Sequence, residues 1–323
     1  MNNFRPPRNK NGVDVDSYVA LSVVSLACST LQGRSVYLMS IWQAILLGLI
    51  QGLTEFIPIS STAHLTITGN LMGLLDPQRP EQWTAFIAVI QLGTLLAVIL
   101  YFRSDILLIT RGFITANLAL IRRKPVDDGA SYHSWLGWMV IVGTLPVAIV
   151  GLLFRDIIEG SFTKDLRVIA GSLIGLAVIL SIAEIVGRRR RDMKDLRLID
   201  ALAVGFAQVF ALIPGSSRSG TTITGGLFSG LTREAAARFS FLLSIPAIGA
   251  SGLLELPKAL NSVNADFTAL AVATAAAAIS GYLSIAFLLR YLQKHTTFLF
   301  VWYRIALGIL LIGLLASGKI AAL

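Results

Sequence analysis

Six stretches of about twenty predominantly apolar residues decide which solvent this chain folds in. They run 83–102, 135–154, 168–187, 239–256, 267–289 and 298–316. Each has the length an α-helix needs to cross the hydrocarbon core of a bilayer. Composition agrees: 55% of residues are apolar and only 14% charged, where a soluble domain carries about a quarter. Too little polar surface remains to cover a water-facing globule. The expected fold class is an all-α polytopic membrane protein.

Charge writes the topology. Of the 27 basic residues, thirteen fall in the connections 103–124, 188–197 and 290–294, and four in 155–167 and 257–266. That asymmetry places the first three connections in the cytoplasm. It also explains the net charge of +9 without nucleic acid, which is not an expected partner. A single cysteine, Cys28, excludes an intramolecular disulfide, and three histidines argue against a multi-histidine metal site.

Residues 1–38 differ from the rest. A polar stretch with Arg5, Arg8 and Lys10 leads into a short apolar run at 18–31. This resembles a signal-peptide core, but Asp14 and Asp16 precede it and no small-x-small cleavage site follows. The arm is read as an N-terminal extension, with Met39 as an alternative start. Residues 39–323 then form one membrane domain. The stretch 106–121 carries Arg111 and Asn117 and is expected on the membrane interface.

Two further apolar segments, 41–57 and 199–213, break at Pro58 and Pro214 into Ser/Thr/Gly-rich sequence. They resume as short apolar stretches to about Leu75 and Leu231. Irregular backbone at such depth survives only where protein buries it or a wet cavity receives it. The two breaks also resemble each other. With Ile57-Pro58 set on Ile213-Pro214, eight of thirteen positions are identical, ending in a shared Thr-Ile-Thr-Gly. Gly48 and Gln51 match Gly205 and Gln208 after one gap. The chain therefore reads as a duplication, about 41–187 and 199–318, each half one re-entrant broken helix and three spans. Three is odd, so the halves insert with inverted topology and place a polar site at their interface.

Polar residues held in apolar sequence are the functional candidates. Gln51 and Glu55 share one helical face. Ser60, Ser61 and Thr62 offer N-caps to the next helix, whose first turn carries His64. The second break reads Pro214-Gly215-Ser216-Ser217-Arg218-Ser219-Gly220-Thr221-Thr222. Its glycines allow backbone N–H groups to converge on an anion, and Arg218 adds a planar donor fork suited to phosphate. Plainer roles exist for each. Ser60 and Ser216 serve equally well as caps, and Glu55 with Arg218 as a structural ion pair. Glu184 and Arg304, near span ends, are expected to snorkel to the headgroups.

Together these motifs resemble the undecaprenyl-diphosphatase family, the bacterial membrane phosphatases associated with bacitracin resistance. The resemblance spans about 39–320 and rests on Gln51-x-x-x-Glu55, Pro58 through His64, and Pro214 through Thr222. It implies hydrolysis of undecaprenyl diphosphate to undecaprenyl phosphate and inorganic phosphate, recycling the lipid carrier for cell-wall synthesis. It also implies a multi-pass protein of the bacterial inner membrane, a site open toward the periplasm, and a divalent cation, Mg²⁺ or Ca²⁺. The family pattern allows Glu or Gln at the position of Gln51, so that side chain is not an obligatory carboxylate. The arm 1–38 departs from the family, whose members usually begin close to the first break.

On that resemblance, Arg218, Thr62 and the residues Gly215, Ser216, Ser217, Ser219 and Gly220 are expected to bind the diphosphate. Glu55, with Gln51, is expected to hold the metal. His64 is expected to act as general acid/base or to attack phosphorus itself, with Ser61, activated by His64 or Glu55, as the rival nucleophile and water as the third. The rival class is a secondary transporter or flippase of a phosphorylated lipid, since inverted repeats with broken helices are transporter architecture. Three acid-phosphatase-type lipid phosphatase signatures are absent from the chain. The partners are the prenyl diphosphate and membrane lipid, and the sequence leaves room for an oligomer.

Overall fold

Backbone amides find no water inside a bilayer, so apolar sequence there must become helix. The computed structural model describes residues 39–323 except 77, 261–266, 319, 321 and 323; the extension at 1–38 lies outside the described residues. Helices α1 (Ile41–Phe56) and α2 (Ser61–Leu71) form the first broken pair. There follow α3 (Pro80–Tyr101), α4 (Arg103–Ile121), α5 (Asp128–Leu153), the short α6 (Arg155–Glu159) and α7 (Leu166–Val186). The second broken pair is α8 (Leu198–Val209), extended by a 3₁₀ turn at Phe210–Leu212, and α9 (Arg218–Phe228). Three long helices close the chain: α10 (Arg233–Leu260), α11 (Phe267–Lys294) and α12 (Phe298–Ala316).

Local chemistry sets several boundaries. Pro80 starts α3, where its missing N–H is not needed. Asp127 and Asp165 cap α5 and α7 by accepting from Ala130 N and Arg167 N, each at 2.8 Å. Among the described residues, seven helices are long and apolar enough to cross a membrane. Six correspond to the expected spans. The seventh, α4, covers the stretch read from sequence as interfacial.

Contacts of α4 explain its position. Its first turn meets the second turn of α10 through Asp105 and Arg238, 3.1 Å apart. Its later turns run back along the start of α5, where Asn117 Nδ2 lies 3.4 Å from Ser134 Oγ. The next residue, Trp135, donates from Nε1 to Leu196 O at 3.0 Å, just before α8 begins. Both ends of α4 therefore sit at the end of the bundle where α8 and α10 start.

The broken helices are packed by small residues. Helix α1 lies on α11, and α8 on α5. A Cβ on Gly48 would strike the Ala273 carbonyl of α11, and one on Gly205 the Gly143 carbonyl of α5. Such backbone-to-backbone approach drives helix association where lipid supplies no hydrophobic gain. Ser284 Oγ adds a hydrogen bond to Leu53 O at 3.0 Å.

Glu184 does not snorkel. It is buried, accepting from Arg189 Nη1 at 2.7 Å, Arg233 Nε at 2.8 Å and Thr297 Oγ1 at 2.8 Å. One carboxylate thus ties the end of α7 to the starts of α10 and α12, with enough partners to offset its desolvation.

Candidate active site

Each break turns on a serine in a left-handed conformation. Ser60 has φ 76° and Ser217 φ 69°, and both cap the helix that follows. Ser60 Oγ accepts from Ala63 N at 3.3 Å, and Ser217 Oγ from Gly220 N at 3.2 Å. Positive φ in a non-glycine residue costs roughly 1–3 kcal/mol and collects at functional sites. Gly215 also needs its positive φ of 86°, and a Cβ there would collide with Ser172 and Ile169.

The two caps revise the expected alignment by one residue. Nine positions separate Gln51 from Ser60, and nine separate Gln208 from Ser217. Ser60 therefore corresponds to Ser217 rather than Ser216, with no gap after Gln208. The shared Thr-Ile-Thr-Gly lies one residue out of this register. Gly69 instead pairs with Gly226, each facing the first turns of the next helix at Trp83 and Ala236.

The breaks meet at Glu55. Its Oε1 accepts from Arg218 Nη2 at 2.5 Å, and its Oε2 from Ser61 Oγ at 2.6 Å and Gln51 Nε2 at 2.9 Å. Three sequence-predicted residues thus converge on the buried carboxylate of a fourth, Glu55. Ser219 Oγ adds a bond to Ile57 O at 3.2 Å, closing one break on the other.

Beneath them lies a residue to which the sequence reading gave no site role. Arg304 is 0% exposed, so the expected snorkelling is overturned. Its guanidinium donates to Ser216 O at 2.9 Å, Gly215 O at 3.3 Å, Leu173 O at 3.2 Å and Pro58 O at 3.5 Å. Carbonyls of both breaks lose their intrahelical partners, and Arg304 supplies donors from one planar group. The sequence signal was a charge two turns inside an apolar helix, too close to its end to exclude the headgroups.

A cavity of about 180 Å³ opens above the carboxylate, lined by Glu55, Ser60, Ser61, Thr62, Gln208, Gly215, Ser217 and Arg218 among others. Through Thr62, Gln91 and Leu212 it shares walls with a larger, mainly apolar cavity of about 420 Å³ that reaches Arg155, Thr163 and Lys164. Gln51, Ser216, Ser219, Gly220 and His64 are not among the residues lining the polar cavity. Two of the expected anion-binding N–H groups already have partners: Ser216 N donates to Ile213 O at 3.2 Å, and Gly220 N to the cap.

His64 lies on another face of α2. Its Nδ1 is 2.7 Å from Ser60 O, which only accepts, so Nδ1 carries the proton. In the neutral ring Nε2, 2.6 Å from Tyr303 Oη, accepts from that hydroxyl, and the two rings stack at 5.6 Å. Tyr303 is a residue passed over in the sequence, with no signal beyond its neighbour Arg304.

Among the described residues no group of three or more His, Cys, Asp or Glu could hold a metal. Gln51 Oε1, however, is buried without a hydrogen-bond partner beside Glu55. One carboxylate and one amide oxygen are hard donors that suit Mg²⁺ or Ca²⁺ when phosphate oxygens complete the shell.

A family model described as bacitracin resistance protein BacA matches residues 44–310. The undecaprenyl-diphosphatase of Syntrophobacter fumaroxidans is 58% identical over 271 residues, covering 84% of this chain and 95% of that protein. That of Chloroherpeton thalassium is 50% identical over 294 residues, covering 88% and 100%. That of Chlorobaculum tepidum is 48% identical over 292 residues, covering 87% and 99%.

Proposed function

The chain belongs to the bacitracin resistance protein BacA family, and on that premise we propose that the polar cavity is where it hydrolyses undecaprenyl diphosphate. It is a membrane phosphatase releasing undecaprenyl phosphate and inorganic phosphate, which recycles the lipid carrier for cell-wall synthesis and confers bacitracin resistance. The observation that carries the site is Glu55 held between Arg218 and Ser61 at the cavity wall.

Diphosphate hydrolysis builds negative charge on attacking and leaving oxygens, so positioning and neutralisation do most of the work. Arg218 has donors beyond the one on Glu55 and holds the terminal phosphate. Glu55 takes the proton of Ser61 as its Oγ attacks the terminal phosphorus. The bridging P–O bond breaks, and undecaprenyl phosphate leaves with its electron pair. Water then attacks the phosphoserine, and a proton returns to Ser61 Oγ as inorganic phosphate departs. A divalent cation at Glu55 and Gln51 Oε1 would neutralise charge on the diphosphate. His64, paired with Tyr303 away from the cavity, positions α2 rather than attacking phosphorus.

The architecture is read as an inverted repeat. Equivalent caps at Ser60 and Ser217 support this, as do equivalent glycines on α1 and α8 that each dock on a long helix of the other half. Helix α4 lies along the cytoplasmic interface, outside the repeat. The larger cavity runs to Arg155 and Lys164 in the connection with few basic residues. By the charge rule the site opens toward the periplasm.

The test is phosphate release from a long-chain prenyl diphosphate by detergent-purified protein, with Mg²⁺, Ca²⁺ or EDTA. Release is expected with either metal and lost in Arg218→Ala and Glu55→Ala. A folded wild type that binds the lipid without releasing phosphate overturns this reading in favour of transport.

A further inference from the structure

Gln208 stands where Gln51 stands, nine residues before the capping serine, but its surroundings differ. Gln51 gives its amide N–H to Glu55, four residues on. Four residues beyond Gln208 stands Leu212. The amide of Gln208 thus lacks the partner that its counterpart has. Gln208 is 0% exposed, and neither its Oε1 nor its Nε2 has a hydrogen-bond partner. It lines the polar cavity together with Ser61, Ser217 and Arg218.

A buried amide with neither atom bonded inside the protein is free to bond what fills the cavity beside it. The ligand that enters this cavity is an anion rich in acceptor oxygens. We propose that Gln208 is a substrate-binding residue: its Nε2 donates to a diphosphate oxygen, beside the charged fork of Arg218. This rests on the phosphatase reading for the identity of the anion. A neutral donor suits the position, because it grips the phosphate without pairing with the Glu55 carboxylate that the chemistry needs. In the first half of the chain that amide is tied to the carboxylate; in the second it is left for the substrate.

Removing an orphan amide leaves no partner unbonded, so an apolar replacement of similar size should be neutral or stabilising. Purified wild type, Gln208→Leu, Gln208→Met and Gln208→Glu would be compared by thermal unfolding and by binding of a prenyl diphosphate. Phosphate release by the same samples gives KM and kcat. Gln208→Leu and Gln208→Met are expected to melt no lower than wild type and to bind at least tenfold more weakly. KM should rise while kcat changes less than threefold. Gln208→Glu, placing a second carboxylate near the phosphate, should bind more weakly still.

Unchanged affinity in the Leu and Met variants overturns the proposal. So does weaker binding accompanied by a lower melting temperature in both, which assigns Gln208 to packing. Because binding is read separately from release, a wild type that binds without hydrolysing sinks the phosphatase reading and leaves the Gln208 comparison intact.

Discussion

The guanidinium of Arg304 lies 2.9 Å from the carbonyl oxygen of Ser216, while another of its nitrogens faces Pro58 O at 3.5 Å. One side chain from α12 therefore holds both interrupted helices. Broken helices leave carbonyls that lipid cannot satisfy, and each such group left bare costs about 1–3 kcal/mol. Arg304→Leu is expected to destabilise the fold by about 3 kcal/mol or more, read as lower thermal unfolding in detergent. Arg304→Lys should recover only part of this, since an ammonium cannot reproduce the planar fork.

Arg218 and Glu55 should not behave as independent residues. Arg218→Ala removes the phosphate fork and leaves a buried carboxylate without its cation. A fall in kcat/KM of roughly 10²–10³ is expected. In the double variant with Glu55→Gln, the losses should be far from additive. Additive losses would show that the 2.5 Å contact carries no energetic coupling in the working enzyme.

His64 and Tyr303 form a pair beside the site, 2.6 Å apart. Tyr303→Phe and His64→Gln should each lower kcat modestly, by about tenfold or less, and the double variant should be little worse than either. A nucleophilic histidine would instead give near-complete loss on its own. Steady-state kinetics on the three variants separate the two roles.

Metal dependence should track Gln51. EDTA is expected to abolish phosphate release, and Mg²⁺ or Ca²⁺ to restore it. Gln51→Leu, which deletes the unpartnered Oε1 together with the Nε2 donor to Glu55, should raise the metal concentration for half-maximal activity. An unchanged metal titration would remove Gln51 from that role.

Much of this arrangement was legible in the chain. Glu55 and Arg218 announce themselves because a charge in apolar sequence is expensive, and Pro58 and Pro214 mark where helices must stop. What stayed hidden depends on direction and reach. Sequence puts His64 in the first turn of α2 but does not tell which face of that turn meets the cavity. Arg304 and Glu184 sit close enough to helix ends that snorkelling was the simpler account, and only packing shows their buried partners. The alignment of the two breaks slipped for a similar reason. The identical Thr-Ile-Thr-Gly outweighed the caps in a comparison of letters, whereas the backbone is fixed by Ser60 and Ser217.

Ser61 provides the sharpest division among mechanisms. Its Oγ lies 2.6 Å from Glu55 Oε2 at the cavity wall, the geometry of a hydroxyl whose proton can be drawn off as it attacks. With substrate labelled in its terminal phosphate and acid quenching within the first turnover, wild type should carry label on protein that later decays to free phosphate. Ser61→Ala should carry none and lose about 10³-fold or more in kcat. Direct attack by water predicts the opposite pattern. No label would appear on wild type, and Ser61→Ala would lose only the contribution of one hydrogen bond, about tenfold. Because α2 is capped by Ser60 rather than Ser61, the substitution leaves the helix start intact. A severe loss would therefore report on chemistry and not on a damaged break.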